Sequence, residues 1–280
     1  MSINLKNYLV LLRIKNWRGY FLITSFGFVA AEGFLFPFKD IVIFYLIVLL
    51  FLGFGFAIND CFDTKEDRLD KERKNPVALK KISLRRGLIF SVFLAFLGLG
   101  LSTLFGLRVF LFLFFGMMLV FFYSSPPLRL KSRPIFDLLS HGFFGGVLLF
   151  FTPLLIFNKE PALLHYWIAF SFFWFSIMLE LRNHIEDYEV DKAAGLNTTV
   201  GALGLESSEN ILEYLAVFYP FTLFPIFFFG YQQHFILFSI FTLIFLLFLF
   251  KKEYEIVKNY KIMDIYANLS FVLLAMSMIR

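Results

Sequence analysis

Asn59, Asp63 and Asp67 fall four residues apart at the end of a long apolar run, inside the charged stretch NDCFDTKEDRLDKERKNP. On a continuing helix that spacing projects all three side chains from one face. Asp60 adds a fourth oxygen donor beside them. Hard divalent ions such as Mg2+ take oxygen ligands and share them with substrate phosphates, so carboxylates set among Arg and Lys suit a metal-diphosphate complex. A solvated charged loop between two membrane helices would carry the same composition. The pattern recurs, however: Asn183, Asp187 and Asp191 repeat the Asn-x3-Asp-x3-Asp spacing in RNHIEDYEVDKAAGLNTT, again where an apolar run ends. Two such triplets at corresponding ends of hydrophobic segments predict facing clusters that grip one polyanion through metal ions.

The elements that must present these clusters are membrane helices. Hydrophobic residues make up 59% of the chain, 44 residues are Phe, and the mean hydropathy is +0.76, all beyond what a soluble globular domain carries. Apolar runs long enough to cross a bilayer, about 20 residues each, fall at about 18–37, 40–59, 87–106, 108–125, 137–157, 162–182, 211–230, 234–250 and 262–279. The expected fold is therefore all-α, a polytopic membrane protein of nine transmembrane helices around a central cavity with polar loops on the cytoplasmic side. The third and fourth runs abut at Gly106 and Arg108, and only their combined length divides them. Spans and short loops fill the chain, so residues 1–280 read as a single membrane domain. Residues 1–18 read as a retained amphipathic helix lying at the interface, with Leu5, Tyr8, Leu9 and Leu12 at helical spacing, basic residues between them, and no signal-peptide order. The single cysteine, Cys61, excludes an internal disulfide.

Alternating the nine spans gathers all but four of the 26 Lys and Arg residues on one side; Lys39, Arg108, Lys159 and Arg280 are left on the other. The richer side faces the cytoplasm by the positive-inside rule. Both acidic motifs lie on that side, which nothing in their own spacing required.

Between the fourth and fifth runs, YSSPPLRLKSRP sets Tyr123, Arg129, Lys131 and Arg133 around a Pro126-Pro127 pair that cannot continue a helix. Taken together, NDxxDxxxD, this tyrosine-containing stretch and a DxxxD ahead of Gly195 resemble the UbiA superfamily of intramembrane prenyltransferases, and the resemblance covers nearly the whole chain. It implies transfer of a prenyl group from a prenyl diphosphate to a lipophilic acceptor. Asp63, Asp67, Asp187 and Asp191 would be catalytic, and Mg2+ would be held by these four with Asn59, Asp60 and Asn183. The family's tyrosine and lysine near the diphosphate map onto Tyr123 and Lys131, with Arg73, Lys74 and Lys192 as further expected diphosphate contacts. Family members often carry Arg immediately before the proline of the first motif, whereas this chain has Asn75 before Pro76.

Asp137 and His141, at the start of the fifth run, are ionisable groups near membrane depth and so functional candidates. His184 beside Asn183 fits a hydrogen-bonded structural role or acid-base chemistry, and Glu180 and Arg182 are expected to pair with each other or to hold the motif in register. The texture of YSSPPLRLKSRP followed by Asp137 is closer to the branch of lycopene elongases, chlorophyll-type synthases and archaeal lipid enzymes than to hydroxybenzoate transferases, with a quinone-precursor acceptor left open. No nucleic-acid partner is expected. A membrane transporter with a cytoplasm-facing acidic cation site is the alternative, although transporters place such acids near the bilayer midplane in broken helices.

Overall fold

The computed structural model describes residues 4–70, 72–250 and 260–278, and among these every regular element is helical. Lys71, Lys251, Lys252, Lys258 and Arg280, counted above in the charge asymmetry, lie outside the described residues. In chain order the helices are α1 (Leu5–Leu11), α2 (Arg18–Ala30), α3 (Phe38–Phe62), α4 (Glu66–Leu69), α5 (Leu84–Ser102), α6 (Leu107–Ser124), α7 (Phe136–His141), α8 (Leu148–Ile156), α9 (Leu163–Glu186), α10 (Tyr188–Ala194), α11 (Thr199–Leu203), α12 (Leu205–Pro225), α13 (Phe235–Leu249) and α14 (Tyr260–Met278). Among the described residues, eight stretches are long and apolar enough to cross a membrane: Phe38–Phe62, Leu84–Phe105, Leu107–Ser124, Phe136–Ile156, Leu163–Glu186, Leu205–Gly230, Gln232–Leu249 and Lys261–Met278. The chain is an integral membrane protein of many spans.

The expected first span, 18–37, is folded differently from the rest. Its helix α2 has 13 residues and ends at Ala30, and Glu32 then takes a left-handed φ of 54° before a 3-10 turn at Gly33–Leu35. Its two ends nevertheless mark the full height of the bundle. Arg13 reaches Asn59 and Asp60 at the C-terminal end of α3, while Glu32 pairs with Lys159 at 2.7 Å in the connection between α8 and α9. Residues 13 to 32 thus run antiparallel to α3 from one end of it to the other. The abutting third and fourth runs divide at Gly106, whose φ of +93° and ψ of 170° form the turn into α6. That backbone region is open to glycine without steric penalty.

Between membrane helices there is no water to expel, so close association depends on dispersion contacts, which small residues permit by letting backbones approach. The α7–α8 span shows this most directly. Its two halves are joined by a π-helical segment, Gly142–Val147, and a Cβ at Gly146 would lie 2.7 Å from the Phe172 carbonyl oxygen of α9. A Cβ at Gly145 would lie 2.8 Å from Ser176 Oγ. A Cβ at Gly27 of α2 would come closer still to the Phe150 carbonyl oxygen of α8. These glycines bring α2, α7–α8 and α9 together around the cavity described below.

Matched substitutions test this packing. Gly146→Ala meets backbone that cannot give way and is expected to destabilise the detergent-solubilised protein by about 1–3 kcal/mol. Gly100→Ala, on α5 with no atom within 4 Å of the new Cβ, is expected to leave the thermal midpoint unchanged or slightly raised. Equal midpoints for the two variants would rule out close α7–α9 packing.

Candidate active site

The first motif does not continue as one helix, contrary to the spacing-based expectation. Helix α3 ends at Phe62, Asp63 is its C-cap, and Asp67 belongs to the separate α4. The i,i+4 backbone bonds from Asp63 N–H to the Asn59 carbonyl and from Asp67 N–H to the Asp63 carbonyl survive at 2.9 Å each, but the four side chains part company. Asp60 turns to Arg13 at 3.2 Å. Asp67 is buried behind the loop, receiving Arg73 Nε at 3.0 Å and Asn75 Nδ2 at 2.7 Å. Asn59 and Asp63 alone of the four face the central cavity.

Asn75, where family members often carry Arg, is the stitch of this loop. Its amide donates to the Asp60 carbonyl at 2.7 Å and to Asp67, while its oxygen accepts from Val77 N–H at 2.8 Å and from Ala78 N–H at 3.3 Å. The YSSPPLRLKSRP loop then supplies the counter-charge. Lys131 Nζ lies 2.6 Å from Asp63 Oδ2, and Arg129 bonds to Glu66 and approaches Asp63 at 3.7 Å. Burial works against the Lys131 charge, but Asp63 and Glu66 more than offset it and hold its pKa above the ordinary lysine value. Arg73 is likewise opposed by burial and held up by Asp67. Glu66 and Arg129 are therefore members of the site that spacing alone did not single out.

The second motif behaves like the first. Helix α9 ends at Glu186, Asp187 caps it, and Asp191 sits on α10. The α10 segment closes onto the first acidic loop through Lys65, whose ammonium donates to the Ala194 carbonyl. Asn183, Asp187 and Asp191 line the same cavity as Asn59 and Asp63, so the whole second triplet but only two residues of the first share it. Desolvation raises the pKa of Asp187, and it raises Asp191 to about 6 despite the positive fields of His184 and Lys131. At both carboxylates burial outweighs the nearby positive charges, Arg73 and His184 for Asp187 and His184 and Lys131 for Asp191. Lys74 is exposed and lines a neighbouring groove with Lys6, Arg13 and Lys15. Lys192 lies over the Tyr188 ring at 5.4 Å, and neither lysine lines the central cavity.

The cavity encloses about 430 Å³. Asn59, Asp63, Arg73, Lys131, Asn183, Asp187 and Asp191 rim it, whereas Phe51, Leu52, Phe56, Val120, Phe144 and Leu149 form an apolar wall. Asp63 Oδ1 accepts no hydrogen bond. Among the described residues no three acidic, His or Cys side chains converge tightly enough to enclose an ion by themselves. That arrangement fits Mg2+, which keeps waters and binds through one or two carboxylates plus phosphate oxygens instead of an all-protein cage. Asn59, Asp63, Asn183, Asp187 and Asp191 could hold it.

Beneath the rim lies a buried polar cluster. Glu180 does not pair with Arg182, because residues two apart on a helix point to different sides. Arg182 instead meets Asp264 at 3.4 Å. Glu180 receives Tyr123 O–H and Asn183 Nδ2, and sits 3.4 Å from His141 Nε2 and 3.3 Å from His184 Nε2. His184 Nδ1 in turn faces Asp137 at 3.4 Å. Asp137 is fully buried and accepts the Thr199 N–H and hydroxyl, which ties α7 to α11.

Residues 20–274 match the UbiA prenyltransferase family. Digeranylgeranylglyceryl phosphate synthase of Saccharolobus solfataricus is 26% identical over 222 residues, covering 76% of this chain and 74% of that protein. The synthase of the same name from Methanococcus maripaludis is 28% identical over 220 residues, covering 77% and 73%. Among solved structures, a UbiA homolog from Archaeoglobus fulgidus bound to GPP and Mg2+ has a TM-score of 0.73 at 23% identity, over 97% of this chain and 98% of that one. A structure of digeranylgeranylglyceryl phosphate synthase in membranes has a TM-score of 0.75 at 20% identity, over 98% of both chains. At these identities the structural likeness establishes the fold.

Removing the Asn75 side chain leaves buried partners unsatisfied, so Asn75→Ala is expected to lower stability by about 1–3 kcal/mol. Lys74→Ala, next to it but exposed, is expected to shift stability by less than about 0.5 kcal/mol. Thermal melting of the two variants in detergent checks the pair.

Proposed function

The chain belongs to the UbiA prenyltransferase family and is a membrane prenyltransferase, and from that premise we propose that it moves a prenyl group from a prenyl diphosphate to the hydroxyl of a lipophilic, phosphate-bearing isoprenoid acceptor. The observation that carries this reading is that both Asn-x3-Asp motifs, Arg73 and Lys131 open into one cavity whose other wall is apolar. The polar rim suits a diphosphate and the aromatic wall suits an isoprenoid chain. In this assignment Asn59, Asp63, Asn183, Asp187 and Asp191 hold Mg2+, while Asp60 and Asp67 anchor the loop behind them to Arg13, Arg73 and Asn75. Bound Mg2+ supplies positive charge to the departing diphosphate. Arg73 and Lys131 add fixed positive charge where the leaving oxygens gather negative charge, with little reorganisation because ion pairs already hold both side chains. Phe51, Phe56 and Phe144 offer ring faces that stabilise the allylic carbon as it becomes cationic. Lys74 and Lys192 act outside the cavity, steering the anionic donor towards it.

The acceptor class draws on the sequence relatives. Their name describes a glyceryl phosphate with two geranylgeranyl chains, and the acceptor in this reading is a glyceryl phosphate that already carries one. The reading also takes residues 1–280 as one domain in the cytoplasmic membrane. Helix α2 with its flanking turns is its ninth crossing, and the rim loops face the cytoplasm. The ends of the 13–32 segment support the ninth crossing, and the asymmetry of Lys and Arg supports the orientation.

Because the two motifs serve one diphosphate, their losses are expected not to add. Asp63→Ala and Asp187→Ala should each reduce Mg2+-dependent diphosphate release from a prenyl diphosphate by orders of magnitude, and the double variant should be scarcely worse. Multiplying losses in the double variant would make the motifs separate sites.

Orientation is tested in a Cys61→Ser background. Cysteines at the exposed positions Ser83 and Ser207 should escape a membrane-impermeant thiol reagent in intact cells and react after lysis. A cysteine at Asn158, beside the Lys159–Glu32 pair, should react before lysis. The reverse pattern would invert the orientation.

A further inference from the structure

The rim and the aromatic wall account for the donor, and they leave the buried cluster beneath without a task. We propose that Tyr20, His141 and Glu180 form the proton relay that accepts the acceptor's hydroxyl proton, an assignment that rests on the transferase reading above. Tyr20 and His141 both line the cavity, and Tyr20 is half-buried on α2.

The hydrogen bonds around His141 fix its tautomer. Its Nδ1 lies 3.2 Å from the Ser176 carbonyl oxygen, which can only accept. It also lies 3.0 Å from Ser176 Oγ, which can accept from it. The carbonyl can only accept, which makes Nδ1 the donor and the nitrogen that carries the proton. Nε2 then presents its lone pair to the Tyr20 hydroxyl, which donates to it at 3.0 Å. On its other side, 3.4 Å away, stands Glu180 Oε2. A carboxylate facing an imidazole lone pair is unfavourable, and the same contact becomes an ion pair once Nε2 is protonated.

Further contacts hold Glu180 in place. His184 stands between two carboxylates, with Nε2 3.3 Å from Glu180 and Nδ1 3.4 Å from Asp137. Tyr123 and Asn183 also donate to Glu180, which keeps that carboxylate an acceptor. The glycines of the π-helical segment hold His141 against Ser176, because any side chain at Gly145 would collide with Ser176 Oγ.

In the step this geometry serves, the carbon-oxygen bond between the allylic carbon and the diphosphate breaks, and its electron pair leaves with the diphosphate. A lone pair of the acceptor hydroxyl forms the new ether bond to that carbon. The hydroxyl proton passes to the Tyr20 oxygen as the Tyr20 proton passes to His141 Nε2, and the imidazolium rests against Glu180. After the product leaves, the proton returns through Tyr20 to water. Tyr20 is the catalytic residue of this relay; His141 and Glu180 act through it.

The test uses the full-length protein in detergent with geranyl diphosphate, Mg2+ and a monoprenylated glyceryl phosphate bearing one free hydroxyl. Single-turnover transfer is measured alongside binding of labelled geranyl diphosphate and thermal melting. Tyr20→Phe and His141→Gln are each expected to slow transfer by about 10²–10³-fold, within the range of general acid-base catalysis, with donor affinity kept within about twofold. Their double variant should be little slower than either. In mixed H2O and D2O the wild-type rate should fall along a curved line, as two moving protons require, and the residual rate of Tyr20→Phe should not. Transfer by Tyr20→Phe within threefold of wild type, or a loss matched by an equal loss of donor binding, would overturn the relay. So would wild-type protein that releases diphosphate but leaves the hydroxyl acceptor unmodified. Absence of diphosphate release from wild type would instead overturn the transferase reading itself.

Discussion

Carboxylates taken out of water at the ends of membrane helices are stable only when each is given an opposite charge or a set of donors. That constraint shapes the rim. Asp63 and Glu66 are buried, and the loop that follows α6 exists in its observed form to deliver Arg129 and Lys131 to them. Asp67 takes Arg73 and Asn75, and Asp60 takes Arg13 from the N-terminal segment. Three separate parts of the chain are thereby drawn to the C-terminal end of α3. Asp187 and Asp191 form no such ion pair among the described residues, burial raises the pKa of both, and they border the space that a cation would fill.

Helix packing supplies the second requirement. In a bilayer, helices gain little from hiding apolar surface from one another, so contact distance matters more than hydrophobicity. Gly27, Gly145 and Gly146 let α2, α7–α8 and α9 approach until side chains from all three share one pocket. Tyr20, His141 and Glu180 come from these three elements. A π-helical segment immediately after His141 changes the helical phase there, a feature that recurs at functional sites because it re-aims neighbouring side chains.

The cavity that results is divided by polarity. Its charged rim faces the ends of α3 and α9, its apolar wall is built from α3, α6 and the α7–α8 span, and His141, Glu180 and His184 of the buried acid-imidazole cluster also line it. An amphiphile with a polyanionic head and an isoprenoid tail matches that division along its length. Tyr20, His141 and Glu180 of the proposed relay line the same cavity.

Much of this was legible in the order of the residues. A side-chain pattern repeating every four residues, placed twice where apolar runs end, declares two helix-terminal clusters, and the alternation of spans with basic loops sets them on one side of the membrane. Local physics governs both, since helical periodicity and bilayer thickness act over about 20 residues. The departures from expectation are also local: the helices stop at Phe62 and Glu186, and Asp67 turns inward because Arg73 and Asn75 offer it better partners than the cavity does. What the sequence could not declare is the Tyr20–His141–Glu180 contact. Tyr20 and His141 are 121 residues apart, and no spacing rule links them. Their meeting depends on where glycine backbones allow three helices to touch, which only the assembled tertiary structure decides.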